Sequence, residues 1–292
     1  MSRNRPKFSF EFFPARTPKG SSQLHECIEV FATFSPQFVS VTYGANGGTR
    51  HLTQELVEII KQKYEFEVMP HLTCSNISKA EISDVTASYW DMGIRQILAL
   101  RGDPPKNTEL LASDMDRFQT SIDLINELAD RGFKNIYVGA YPELHPDSSS
   151  MDSNIDWLKR KFDSGATAAI TQFFLDPVTF LKFRDRCVKV GLNAPIIPGI
   201  LPIDNWEKNK VFITRCGAFV PHSIESSYAA ARSGEEHDKI SVSIAQNICS
   251  RLIQEGVYQF HFYTLNRSKL TCQVFRNLGV LPDNRNRNEK VA

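Results

Sequence analysis

The chain has no long apolar run, no paired cysteines and almost no net charge, and each absence removes a class of protein. No stretch approaches the ~18 consecutive apolar residues of a membrane-spanning helix, so no membrane role is expected. Lys+Arg total 34 against Asp+Glu 33, a formal charge of +1. Without a basic excess no nucleic-acid partner is expected, and any anion site must be local. The six cysteines (Cys27, Cys74, Cys187, Cys216, Cys249, Cys272) are scattered with no C-x-x-C pair. That argues against a zinc site or a disulfide framework and suits a reducing compartment. The opening MSRNRPK is charged, but no apolar segment of signal-peptide length follows, so the expected location is cytoplasmic. Neither G-x-G-x-x-G nor a Walker loop occurs, which withholds the Rossmann and P-loop assignments.

What is present is a series of short apolar runs. They are FSFEF (8–12), FVSVT (38–42), EVMPHL (67–72), QILAL (96–100), NIYVGAY (135–141), AAITQF (168–173), PIIPGI (195–200) and QFHFYTL (259–265). Between them lie segments such as QELVEIIKQKY, RFQTSIDLINELADRG and TFLKFRDRCVKVG. Their apolar residues recur every three or four positions, with Gly132 and Gly191 as helix stops. Strands alternating with helices imply a parallel sheet, because parallel neighbours need a crossover. Eight such units in 292 residues fit a closed (β/α)8 TIM barrel, an α/β fold whose single domain routinely reaches about this length. The expectation is one barrel domain over 1–292, with a polar insert, PHSIESSYAAARSGEEHDK (221–239), before the last long helix and strand, and a flexible tail over 282–292.

On this fold reacting groups sit at the carboxyl ends of the strands. Polar residues gather there: Glu11, Thr42 with Tyr43, His71, Arg101-Gly102-Asp103, Tyr141 with His145, Gln172 and Leu265-Asn266-Arg267. In the first run a period of two puts Phe8, Phe10 and Phe12 on one face and Ser9, Glu11 and Phe13 on the other. The aromatic face suits the layer beneath the helices and leaves Glu11 in the barrel mouth. Lost hydration there would raise its pKa and keep it protonated as a general acid. A buried ion pair with an arginine, or a solvent-exposed strand edge, would account for the same pattern.

In LALRGDPP (98–105), Gly102 permits close backbone approach to a ligand and Arg101 can grip a phosphate or carboxylate. Asp103 can accept hydrogen bonds from a ring edge or stabilise a cation; a turn capped by Asp103, with Arg101 paired locally, is the plain alternative. TYGANGG (42–48) offers backbone N–H groups to a phosphate. AYPELHP supplies Tyr141 as a stacking surface and His145 in a proline-flanked loop. LKRKFD (158–163) holds basic residues that either face solvent or neutralise a diphosphate. Gln172, donor and acceptor at once, suits a neutral heterocycle or carboxamide. His261 reads as core.

Taken together and in this order, FEFFP, VSVTYGAN, PHLTC, LALRGDPP, AYPELHP, LKRKFDSGA, AITQFF, PGILP and HFYTLNR resemble the methylenetetrahydrofolate reductases of the short bacterial type, from residue 8 to about 280. The resemblance implies a (β/α)8 barrel that carries FAD and forms a homo-oligomer. Reduced nicotinamide nucleotide (NADH or NADPH) and the folate would react in turn, ping-pong, to convert methylenetetrahydrofolate to methyltetrahydrofolate. By the same resemblance Glu11 protonates N10 of the folate as its five-membered ring opens, while Asp103 holds the pterin, supports the cation and tunes the flavin. Thr42, Tyr43, Ala45, His71, Arg101, Gly102, Ala112, Tyr141, His145, Arg160 and Lys161 fall on FAD-contacting positions, with Asn154 and Trp157 at variable positions beside them. Gln172, Phe212, Tyr263, Leu265 and Arg267 fall on positions that meet folate or nicotinamide. So does Lys208, which stands where relatives carry a glutamine. Ala15 replaces the second proline of FEFFPP. The chain ends near 292 without the regulatory extension of eukaryotic members, so inhibition through it is not expected. A class I aldolase would want a lysine where Gln172 stands, and a metal hydrolase an H-x-H on the first strand. A non-catalytic or differently specific flavin-binding barrel is the remaining alternative.

Overall fold

The aromatic first run dictates a two-layer wall. Phe10 stacks on Phe31 with ring centroids 4.1 Å apart, and Phe8 lies 4.4 Å from Phe275. Helices therefore cover that face, each fully buried phenylalanine contributing roughly 1.5–3 kcal/mol. The computed structural model describes residues 5–43, 50–75, 77–102 and 116–283. Ala45, Asp103, Ala112 and the tail from 284 onward lie outside the described residues.

The order is β1 (Lys7–Phe12), α1 (Pro18–Ala32), β2 (Phe38–Val41), α2 (Arg50–Lys63), β3 (Glu67–Thr73), α3 (Lys79–Asp91), β4 (Gln96–Leu100), α4 (Ser121–Asp130) and β5 (Asn135–Ala140). It continues with α5 (Met151–Asp163), β6 (Ala168–Phe173), α6 (Pro177–Lys189), β7 (Ile196–Ile200), α7 (Trp206–Arg215), α8 (His222–Ala230), α9 (Gly234–Gln254), β8 (Gln259–Tyr263) and α10 (Lys269–Asn277). The strands close in sequence order into a barrel, and β1 pairs in parallel with both β2 and β8. All eight expected strands are found. Serine and threonine caps start several helices: Ser78, Thr120 and Ser150 each form a reciprocal capping box with the residue three further on.

Phe38, Met69, Leu98, Ile170 and Ile197 pack together and close the barrel interior. The larger core, which includes Phe8, Phe10, Phe12, Leu72, Ile97 and Phe275, lies between barrel and helices. The segment at 221–239 differs from the polar insert expected. It contains α8 and the first turns of α9, anchored by Tyr228 with Ile224 packed beside it. Tyr228 stacks on Trp206 at 4.4 Å with an interplanar angle of 8°, and its hydroxyl meets Ser241 Oγ at 2.9 Å. Among the described residues no helix is long and apolar enough to cross a membrane.

Candidate functional site

Two cavities open among the carboxyl ends of the strands and share a wall. A central pocket of about 240 Å³ is lined by Glu11, Thr42, His71, Gln172, Tyr263 and Leu265, with Leu98, Ile170 and His261 in its wall and Phe212 from α7. A larger cleft of about 580 Å³ runs toward α5 past Arg101, Gly102, His145, Asn154, Trp157 and Lys161. Leu100, Gly139, Ala140 and Tyr141 border both.

Glu11 reaches the pocket because β1 alternates. Its neighbours Phe10 and Phe12 are fully buried on the helix side, while its own side chain keeps 19% of its surface exposed. Burial among apolar walls pushes the carboxyl up to about 8. The nearest polar group is His71, whose Nε2 stands 3.5 Å from Glu11 Oε2. Burial lowers that imidazole to about 3. Near neutrality both groups are therefore uncharged, and the separation is too long for a good hydrogen bond. Of the readings the sequence left open for Glu11, the buried ion pair with arginine has no counterpart among the described residues. His71 Nε2 is buried without a hydrogen-bond partner, so it can serve a polar atom of a ligand.

The opposite wall is set by a shift in strand register. Between β6 and β7 the register slips between Ile170 and Phe173. Gln172 turns its carboxamide into the pocket, its Oε1 accepting from Phe173 N at 3.0 Å. Tyr263 spans the same place, its hydroxyl donating to the Thr171 carbonyl at 2.7 Å. That fit demands Gly199: a Cβ there would stand 2.2 Å from Thr171 O and 2.5 Å from Tyr263 Cε2. Beneath, His261 is fully buried, with Ser9 Oγ 2.8 Å from Nδ1 and Ser40 Oγ 3.3 Å from Nε2. It is core, as expected, and also part of the pocket wall.

The cleft is cationic. Lys161 Nζ donates to the Gly139 carbonyl at 2.8 Å, and among the described residues it makes no ion pair with a carboxylate. Burial, with the Arg101 charge adding to it, lowers this ammonium to about 8. Arg101 Nη2 donates to Asp147 Oδ2 at 2.7 Å, an exposed pair that holds the Asp147 carboxyl below its ordinary range. Gly102 adopts φ 84°, and a Cβ would come within 2.9 Å of Thr73 Cβ. Asn154 Nδ2 donates to the Tyr141 carbonyl at 2.9 Å, and the Tyr141 ring meets His145 edge-on at 4.3 Å.

Four expected positions do not line either cavity. The Tyr43 ring packs against the core beside the barrel. Arg160 lies over the Trp157 ring, 4.6 Å from its centroid. Lys208 is exposed one helical turn before Phe212 on α7, and Arg267 is ion-paired with Asp204 while 58% exposed. Conversely, Leu100, Asp147, Phe173 and Leu201 line the cavities without having been singled out. Asp147 was signalled only by its place two residues after His145.

The fold and site define a (β/α)8 barrel with an acid-bearing ligand pocket joined to an anion-attracting cleft. A family model described as "Methylenetetrahydrofolate reductase" matches residues 1–279. The chain is 41% identical over 280 residues to 5,10-methylenetetrahydrofolate reductase of Pectobacterium carotovorum, covering 96% of this chain and 92% of that one. It is 32% identical over 290 residues to methylenetetrahydrofolate reductase (NADH) 1 of Arabidopsis thaliana, covering 95% of this chain and 49% of that protein. In fold it is similar to an uncharacterised Clostridium thermocellum protein that binds two copies of 5-methyl-5,6,7,8-tetrahydrofolic acid. The TM-score is 0.61 at 12% identity, with 93% of each chain covered. The chain belongs to the methylenetetrahydrofolate reductase family.

Proposed function

We propose that this protein reduces 5,10-methylenetetrahydrofolate to 5-methyltetrahydrofolate, taking electrons from a reduced nicotinamide nucleotide through FAD, with Glu11 as the general acid. The family supports the reaction. The observation that carries the assignment of the acid is the Glu11 carboxyl itself, held neutral up to about pH 8 and open to the pocket.

The residues fit FAD. A buried ammonium beside a guanidinium, with one cation lowering the other, is an arrangement that an anion relieves, and Lys161 and Arg101 face the cleft together. Lys161 and Arg101 would hold the diphosphate of FAD, and Tyr141, His71 and Thr42 line the space that would take its ring. Bound there, FAD would supply a two-electron carrier that accepts hydride from the nucleotide and passes it to the folate.

The chain's own groups do the rest. The apolar wall of Leu98, Ile170 and Leu201 excludes water, which keeps the proton on Glu11 until N10 of the folate accepts it as the C–N bond breaks. Gln172 offers amide hydrogens to a pterin or carboxamide edge, its own oxygen being satisfied by Phe173 N. Phe212, 45% exposed at the rim, can cover either a nicotinamide or an aminobenzoyl ring. One pocket serving both partners in turn gives ping-pong kinetics.

Glu11→Gln keeps the shape and cannot deliver a proton. FAD binding and flavin reduction by the nucleotide are expected to persist, while the folate half-reaction falls ~10²–10⁴-fold, the usual loss with a general acid. Anaerobic stopped-flow of each half-reaction measures this. Equal slowing of both would make Glu11 a flavin-binding or structural residue and sink the assignment.

A further inference from the structure

Beyond the last paired residues of the β1–β8 seam, the two chains stay joined by side chains. Thr264 Oγ1 donates to the Glu11 carbonyl at 2.6 Å. The Asn266 carboxamide accepts from Phe13 N at 3.1 Å and donates to the Phe13 carbonyl at 2.8 Å, the two bonds a neighbouring strand would make. Asn266 is itself fixed: it is 4% exposed, its carbonyl accepts from Gln23 Nε2 at 3.0 Å, and its N–H donates to Thr264 Oγ1 at 3.1 Å. Leu265 and Asn266 are both left-handed, at φ 49° and 54°. Side-chain-bearing residues rarely adopt that region, asparagine most readily among them, and two in succession persist only where the surroundings hold them. The corner they make turns Leu265 into the pocket.

We propose that Asn266 is a positioning residue for Glu11. Its carboxamide stands in as a strand partner for Phe13, and with Thr264 Oγ1 it clamps the backbone on the carboxyl side of Glu11. The fixed backbone thereby sets the Cα–Cβ direction of Glu11 into the pocket, where its carboxyl stands 3.5 Å from His71 Nε2. This rests on the reading of Glu11 as the proton donor. On the β2 side Thr42 N–H donates to the Phe12 carbonyl at 2.9 Å, a single backbone bond, whereas Asn266 makes two side-chain bonds to Phe13. Among the described residues, Lys161 and Arg101 of the cleft make no hydrogen bond to the clamp.

Asn266→Gly separates the clamp from the turn, because glycine accepts φ near 54° freely and removes only the amide. The folded circular-dichroism spectrum and flavin reduction by the nucleotide are expected to persist. The folate half-reaction should lose up to about 10²-fold in rate, the scale of an ångström's misplacement, with KM changing less. Its alkaline limb should move to lower pH as water reaches the carboxyl. A readout free of turnover is the infrared carbonyl band of the protonated glutamic acid, identified by its loss in Glu11→Gln. In Asn266→Gly that band should disappear at lower pH than in wild type. Thr264→Val, which removes the second clamp bond, should shift the band the same way and carries the test if the glycine variant does not fold. A wild-type band titration in the folded variant overturns the proposal. If Glu11→Gln leaves the folate half-reaction untouched, the donor reading fails instead, and the infrared shift alone decides whether Asn266 positions the carboxyl.

Discussion

A carboxyl that stays protonated in the fold but ionises in the unfolded chain writes a pH dependence into stability. Glu11 holds its proton up to about 8, against an ordinary value of 4.5. The folded state therefore binds the extra proton between those values, and its stability falls as pH rises through that window. The stability associated with the neutral acid is fully present below about pH 4.5 and lost once pH passes about 8. Each pH unit of that interval corresponds to at most about 1.4 kcal/mol. Glu11→Gln has no such slope. Urea unfolding of apoprotein at pH 5 and pH 8 should show the variant gaining on wild type at the higher pH, and parallel curves would refute the buried acid. At this scale the sequence was informative for one reason: alternation in FSFEF separates the aromatic face from the acid. It was less so for Tyr43, Arg160, Lys208 and Arg267, because a position at a strand end or on a helix does not say whether the side chain turns toward the cavity.

Within α5 two adjacent basic residues have different fates. Consecutive helical positions point about 100° apart, so Lys161 faces the cleft while Arg160 lies on Trp157. Lys161→Glu is expected to abolish FAD retention after gel filtration, and Arg160→Glu to leave most of it. The wild-type affinity should also weaken above pH 8, as the buried ammonium loses its proton. A flavin fluorescence titration measures both; equal losses in the two variants would remove Lys161 from the proposed diphosphate site. On β7, Gly199→Ala forces a methyl against Thr171 O and the Tyr263 ring. A loss of about 1–3 kcal/mol in urea unfolding is expected for such overpacking. A variant as stable as wild type would mean that β6, β7 and Tyr263 can yield there. The sequence marked the strands bearing these residues but not the register shift, which arises from how β6 and β7 pair. The same holds for α8: a polar stretch concealed a helix because only Tyr228, buried, and Ile224, partly buried, anchor it to the core.

For the molecule as a whole, the barrel was legible because eight apolar runs spaced by helical segments have few ways to pair in parallel, and connections of this kind are overwhelmingly right-handed. Closure has a further consequence for how the protein comes into being. Lys7 lies opposite Gln259 and Glu11 opposite Tyr263, so the first strand made is bonded on one side by the last. At a synthesis rate of about 5–20 residues per second, β1 waits roughly tens of seconds on the ribosome for β8. Through that interval it presents an open edge beside its phenylalanine face, the kind of surface that pairs with other chains or recruits a chaperone. The strand that bears Glu11 therefore gains its second neighbour only when β8 has been made.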